Sequence, residues 1–203
     1  MKTIKWMAGF FLFACLLSAG KALDQKKMAF CPIKPSTAEA AFERDSDIAR
    51  AITRKLSKGP RPSVTIAIME KIAGAPSQQL FAENALYYYL DCCNFPVKNG
   101  ENALLRKYAG FYFADKPRDF PLTLTSKYYI IGVASAEPGE NQSGLIGAKA
   151  ELEISVLDRE GKMFYGKKVK TEVLALSLEA AEAKALKAAA SEVAIQVLPL
   201  LKY

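Results

Sequence analysis

The chain of 203 residues contains no histidine and a single tryptophan. Histidine is the usual general base near neutral pH and the commonest metal ligand, so its absence excludes the most frequent catalytic and metal-binding arrangements. The sequence also lacks a phosphate-cradling glycine loop and a nucleophile elbow. We therefore expect no enzymatic activity, no cofactor and no bound metal, while chemistry carried by carboxylates alone stays open.

A strong excess of charge is missing as well. The formal net charge is +7, but the first 22 residues contain three lysines and no acid. The remainder has 25 basic and 21 acidic residues, a net charge of +4. This is too little to predict a nucleic-acid partner. With 51% hydrophobic and 24% charged residues, the chain is instead typical of a folded domain.

The first 22 residues have the pattern of an export signal. Lys2 and Lys5 precede an apolar run over residues 6–17, and small residues then lead to a cleavage position after Ala22. The apolar run is too short to span a bilayer comfortably. This interpretation predicts a periplasmic or secreted protein.

A second interpretation of the same segment is a lipoprotein signal. Residues 12–15 resemble a bacterial lipobox, in which Cys15 would carry the lipid and anchor the protein in the outer membrane. We favour soluble export because the apolar run continues through Leu16 and Leu17 instead of giving way to a polar tether. The protein would then touch a membrane only if Cys15 is modified.

Three cysteines follow the predicted leader. Cys31 could pair in an oxidising compartment with either Cys92 or Cys93, which are adjacent in sequence. The alternative is three free, partly buried thiols. The spacing does not fit a zinc site.

The order of predicted elements gives the domain organisation. Residues 23–35 are predicted to be a tether, and residues 36–203 a single domain that begins with a helix capped by Ser36. A buried strand over residues 64–69 follows, and then a helix capped by Ser77. A very short edge strand over residues 94–97 and a third helix over 101–113 complete the first half.

The second half has the clearest pattern. Residues 128–133 form an apolar run, as expected for a strand buried on both faces, and residues 149–156 alternate strictly between apolar and polar side chains. A turn ending at Gly161 leads into a second strand over 162–176. An alanine-rich helix is predicted from Ser177 to about Leu198. The fold class is therefore α/β or α+β, a mixed sheet of four to five strands with helices packed on it.

Lysines are concentrated on the last predicted strand. Lys162, Lys167, Lys168 and Lys170 could form a face for an acidic partner or an anionic polymer. The commoner role of such lysines is to protect the edge of a sheet against pairing, and we favour it.

The apolar segments in this order resemble the TolB amino-terminal domain and the curli-secretion (CsgG) group of bacterial envelope proteins, which includes the flagellar protein FlgT and lipoprotein activators of penicillin-binding proteins. The matching segments are residues 64–69, 82–97, 126–132, 148–172 and 180–201. The resemblance implies the TolB amino-terminal fold and a non-catalytic accessory protein. Such a protein docks onto envelope proteins, or onto itself, in an assembly, secretion or wall-synthesis system.

An alternative from another class is a periplasmic binding module for a small molecule or an anionic polymer. Its support is the mild positive charge and an aromatic content of 10%. A deep apolar pocket with converging polar groups would favour it over a docking role.

Overall fold

The computed structural model describes residues 37–116 and 118–202, and their side chains from residue 44 onward. The predicted leader with Cys15 and Ala22, the predicted tether and Cys31 all lie outside these residues. Within the described part of the chain, no helix combines the length and apolar character needed to cross a membrane.

The centre of the fold is a five-stranded sheet with the strand order β2-β1-β3-β4-β5. The strands are β1 (Val64–Ile72), β2 (Ala75–Pro76), β3 (Tyr128–Pro138), β4 (Ile146–Leu157) and β5 (Met163–Ala175). β1 runs parallel to β3, and the other pairs are antiparallel. The predicted mixed sheet with an antiparallel hairpin near its end is confirmed.

The hairpin between β4 and β5 forms as the alternation predicts. Gly161 adopts a positive φ of 81°, which favours glycine. Its amide donates to the Asp158 carbonyl at 3.0 Å, and the Lys162 amide donates to the Asp158 carboxylate at 2.8 Å. The turn therefore fixes the register that places Ile154 and Val156 on the buried side of β4.

One face of the sheet is covered by α2 (Phe81–Cys92) and α4 (Leu178–Val197), and α1 (Thr37–Lys55) packs against α4. α4 begins as predicted at Ser177, whose hydroxyl accepts from the Ala180 amide at 3.3 Å. Its small alanines let the helix lie close against β4 and β5. The core on this side includes Ile66, Ile68, Ile130, Leu152, Ile154 and Leu186.

The opposite face is covered only in part. α3 (Asn102–Tyr112) packs on β1 and β3, and its core with the following loop consists of Ala67, Leu105, Tyr108, Ala109, Leu124, Tyr129, Ile131 and Leu157. Within the described residues, most outward side chains of β4 and β5 have no helix over them, because α3 is short and lies over the other half of the sheet.

Two predictions in the first half of the domain are wrong. Ser77 does not cap α2, because its hydroxyl forms a local turn with Gln79. The helix begins four residues later, where the carboxylate of Glu70 in β1 accepts from the Phe81 and Glu83 amides at 2.8 and 3.0 Å. Residues 94–97 form only an isolated parallel bridge between Val97 and Val64, not a strand.

Candidate functional site

The uncovered half of the sheet is the candidate site, and we call it the open face. It consists of the outward side chains of Ser135, Glu137, Lys149, Glu151, Glu153, Lys168, Lys170 and Glu172. These residues share a face because they lie opposite one another in the β3–β4–β5 register, with outward side chains two positions apart along each strand. The open face is therefore a consequence of strand alternation in a region that no helix among residues 37–116 and 118–202 covers.

A groove of about 1020 Å³ runs between the end of α3 and the open face. Its lining combines apolar and charged groups, among them Met69, Tyr112, Val133, Glu153, Met163 and Lys168. The Tyr112 hydroxyl donates to the Met163 sulfur at 3.3 Å, which joins the end of α3 to the start of β5. A second groove of about 550 Å³ shares Ser135 and Glu151 with the first and extends along β4 and β5.

The charges on the open face are largely paired with one another. Lys168 Nζ lies 2.5 Å from Glu151 Oε1 and 3.7 Å from Glu153 Oε2, and Lys170 Nζ lies 3.1 Å from Glu151 Oε2. The hydrogen bond from Lys168 lowers the pKa of Glu151 below its usual value, so this carboxylate stays ionised. Lys149 and Glu172 extend the network at 3.8 Å. This network of ion pairs presents alternating positive and negative charges to a ligand, not a surface of one sign.

The four lysines singled out in the sequence do not share one surface. Lys168 and Lys170 lie on the open face, but Lys167 lies opposite Ile154 and belongs to the helix-covered side. Lys162 lies in the turn before β5. Alternation along a strand separates neighbouring residues, so a run of lysines in sequence becomes two sets in space.

The adjacent cysteines have different environments. Cys92 is exposed at the end of α2, whereas Cys93 is buried, and neither is bonded to another cysteine among the described residues. Cys93 Sγ lies 3.6 Å from the Thr53 hydroxyl on α1, and burial raises the pKa of its thiol. Pairing with Cys31 and the alternative of free thiols both stay predictions, because Cys31 is outside the described residues.

Two buried carboxylates, Glu70 and Glu83, have structural partners. Glu70 caps α2, and burial raises its pKa although the backbone amides of α2 act in the opposite direction. Glu83 accepts from the Ile68 amide at 2.7 Å and pairs with Arg106 on α3. Among the described residues, no group of three or more cysteine and acidic side chains is arranged to hold a metal ion.

Sequence reasoning did not find the groove. Val133 and Met163 were assigned only to strands, and the end of α3 was not placed near either of them. The usable signal was the polar half of the alternating segment over 149–155, which predicts a solvent-facing strand. The position of α3 depends on tertiary packing, so its groove could not be read from local patterns.

Comparisons with known proteins give the following likenesses. No protein-family model matches the chain, and no curated protein sequence matches it either. Among solved structures, the hypothetical protein CT253 from Chlamydia trachomatis is similar at a TM-score of 0.43 and 11% identity, over 57% of this chain and 74% of that one.

Two bacterial lipoproteins are similar as well. A minor lipoprotein from Acinetobacter baumannii has a TM-score of 0.38 and 11% identity over 70% of this chain and 91% of its own. Lipoprotein GNA1162 from Neisseria meningitidis has a TM-score of 0.36 and 11% identity over 67% of this chain and 98% of its own. Similarity at this level does not establish a shared family or function.

Proposed function

We propose that this protein is a non-catalytic, exported accessory protein of the bacterial cell envelope that docks onto a partner protein through its open face. The observation that carries the proposal is the groove between the end of α3 and the uncovered half of the sheet. The helix-covered side of the sheet is buried in the main core, so the part of the other side that α3 leaves uncovered is available as a binding surface.

The chemistry of the groove suits a protein partner. Docking surfaces commonly have an apolar centre and a polar rim. Here the ion-pair network centred on Lys168 lies beside the apolar side chains of Val133, Tyr112 and Met163. Such a surface can bury apolar side chains of the partner while the alternating charges select its register.

The envelope location is supported by the leader and by the resemblance to the TolB amino-terminal and curli-secretion group. The predicted cleavage after Ala22 gives a soluble exported protein, and modification of Cys15 gives an anchored one. Mass analysis of the mature amino terminus, with and without globomycin, distinguishes the two. Globomycin changes processing only if Cys15 is lipidated.

The test of the docking role uses two matched glycine variants. Gly166→Arg places a long side chain in the groove, where a Cβ would meet only Met163 Sδ at 3.6 Å and the Ile154 carbonyl at 3.8 Å. Gly100→Arg places the same side chain in the turn before α3, where no atom of the described residues lies within 4 Å of a Cβ. Both substitutions should leave the fold intact.

The measurement is co-purification from envelope extract of the native host, quantified by mass spectrometry. The wild type and Gly100→Arg should recover the same partner in equal amounts. Gly166→Arg should recover at least about tenfold less of it. The proposal fails if the wild type recovers no reproducible partner, or if Gly166→Arg retains it fully.

A small-molecule binding module is the second candidate, because the groove has the volume of known ligand sites. An anionic polymer is less well supported, since Lys168 and Lys170 are already paired with glutamates. A thermal-shift screen with amino acids, small sugars and inorganic phosphate tests this candidate. A ligand that raises the melting temperature of the wild type and Gly100→Arg, but not of Gly166→Arg, would support it.

A further inference from the structure

The two edges of the sheet differ in how their backbone groups are used. On the β1 side, the Val64 amide donates to the Pro96 carbonyl at 2.9 Å, and the Ile68 amide donates to the Glu83 carboxylate at 2.7 Å. The Glu70 carbonyl accepts from the Ser77 amide at 2.8 Å, and β2 pairs with the end of β1. This edge is closed by the chain itself.

The β5 edge has no such cover among residues 37–116 and 118–202. β5 is 13 residues long and is the last strand of the sheet. No described residue hydrogen-bonds to the backbone groups of β5 that face away from β4. A strand with a free row of donors and acceptors is a template for pairing with another strand.

The lysines of β5 protect this edge less than the sequence suggests. Lys168 and Lys170 form ion pairs with glutamates of β4, so their charges are partly balanced within the same molecule. Lys167 is half-buried on the helix side, and it is the lysine best placed to hinder pairing. The irregularity in the β4–β5 register lies between Val156 and Leu157, near the start of β5, so the strand beyond Lys167 is regular.

Charge on the open face selects one register for pairing with a second copy of the chain. In a two-fold antiparallel pair, centring the axis on Val169 places Lys168 opposite Lys170. Centring it on Lys170 places two ammonium groups opposite each other, and centring it on Glu172 does the same with two carboxylates. Like charges directly opposite are unfavourable in a sheet.

Centring the axis on Thr171 removes these conflicts. Lys170 of each copy then lies opposite Glu172 of the other, which gives two favourable pairs by symmetry. On the helix side the same register places Val169 opposite Val173. Both are β-branched residues that suit cross-strand packing.

We propose that two copies of this protein associate through β5, antiparallel and centred on Thr171, so that their sheets become one continuous sheet. The association uses the edge of β5, and its charge pairs use Lys170 and Glu172, which do not line the groove of about 1020 Å³ at the end of α3. It therefore does not depend on the proposed docking role.

The test is a charge exchange, measured by sedimentation velocity on the mature protein from about 1 to 100 µM. The side chains of Lys170 and Glu172 are 76% and 50% exposed, so Lys170→Glu and Glu172→Lys should leave the fold intact, which thermal unfolding checks. Each single variant places like charges opposite each other twice and should weaken the dimer at least about tenfold. The double variant restores opposite charges and should dimerise like the wild type.

Mixing the two single variants gives the sharpest result. One copy then carries glutamate at both positions and the other carries lysine at both, so a heterodimer should form although neither variant dimerises alone. Arg50→Glu on α1 is the control and should not change association. A monomeric wild type, unaffected single variants or an absent heterodimer would each overturn the proposal. None of these three outcomes bears on the co-purification result with Gly166→Arg.

Discussion

Arg106 on α3 and Glu83 on α2 form an ion pair that crosses the β1 edge of the sheet. Arg106 Nη2 lies 2.7 and 2.6 Å from the two carboxylate oxygens of Glu83. The same carboxylate accepts from the Ile68 amide of β1. One side chain thus connects the two helical layers and occupies the strand edge between them.

We expect this pair to contribute more than a surface ion pair, because Glu83 is only 4% exposed. Arg106→Gln would leave a buried carboxylate without its counter-charge and should lower the free energy of unfolding by about 2–4 kcal/mol. Arg50→Gln is the matched control, since it breaks an ion pair with Asp47 in which both side chains are about two-thirds exposed. Its cost should be below about 0.5 kcal/mol in urea unfolding. Equal costs for the two variants would contradict this account.

Glu182 on α4 should make the stability depend on pH. It is 5% exposed, and one of its oxygens has no hydrogen-bond partner among the described residues. Burial, followed by the nearby Glu179 charge, raises its pKa above the ordinary value of 4.5. The folded state therefore holds the proton more tightly than the unfolded state. The stabilisation from protonated Glu182 is complete below pH 4.5. It is lost as the pH rises through the raised pKa that Glu182 has in the folded state.

Glu182→Gln removes this loss. The variant should be more stable than the wild type at pH 7 by about 1 kcal/mol and equal to it near pH 4. The shift in melting temperature at pH 7 would be about 2–4 °C for a domain of this size. Glu192→Gln, at an exposed position of the same helix, is the control and should show no such difference. If the stability difference between Glu182→Gln and the wild type stays constant across the pH range, the raised pKa of Glu182 is not its cause.

Gly132 in β3 should not tolerate a side chain. A Cβ there would lie 2.9 Å from the Glu153 carbonyl oxygen and 3.1 Å from Ile154 Cγ2. Gly132→Ala should therefore cost about 1–3 kcal/mol in unfolding experiments. Gly100→Ala, with open space at the Cβ, should be neutral or slightly stabilising. If both glycines tolerate alanine equally, β3 and β4 do not approach as described.

The cysteines should differ in reactivity. In the reduced native protein, iodoacetamide should modify Cys92 readily and Cys93 only after unfolding, since Cys93 is 2% exposed and burial raises its pKa. If Cys31 forms a disulfide, we expect Cys92 to be its partner for the same reason. A non-reducing peptide map of the exported protein distinguishes Cys31–Cys92 from Cys31–Cys93. A Cys31–Cys93 bridge would show that α1 and α2 pack differently.

The elements that sequence predicted correctly are those with a local cause. The β4–β5 hairpin follows from alternation and from the glycine at 161, and α4 follows from Ser177 and the alanines after it. The start of α2 was wrong because its cap, Glu70, lies on a neighbouring strand 11 residues before Phe81. A cap supplied from another element leaves no local sequence pattern.

The candidate site was predictable only in part, for a similar reason. The polar alternation of β4 predicts a solvent-facing strand, but the extent of the open face depends on where α3 packs. The sequence presents the lysines of β5 as one group, whereas the pleat of the strand separates Lys167 from Lys168. The neutralisation of Lys168 by Glu151 and Glu153 depends on the register between two strands, which the turn fixes.

The central claim, that the open face binds a protein partner, is tested most directly by photo-crosslinking in living cells of the native host. A photoreactive amino acid replaces Ser135 or Glu153 on the open face, or Glu192 on the exposed side of α4 as a control. The account predicts one specific crosslinked protein from positions 135 and 153 and none from position 192. Crosslinks that are absent from the open face, or equally strong from α4, would contradict it.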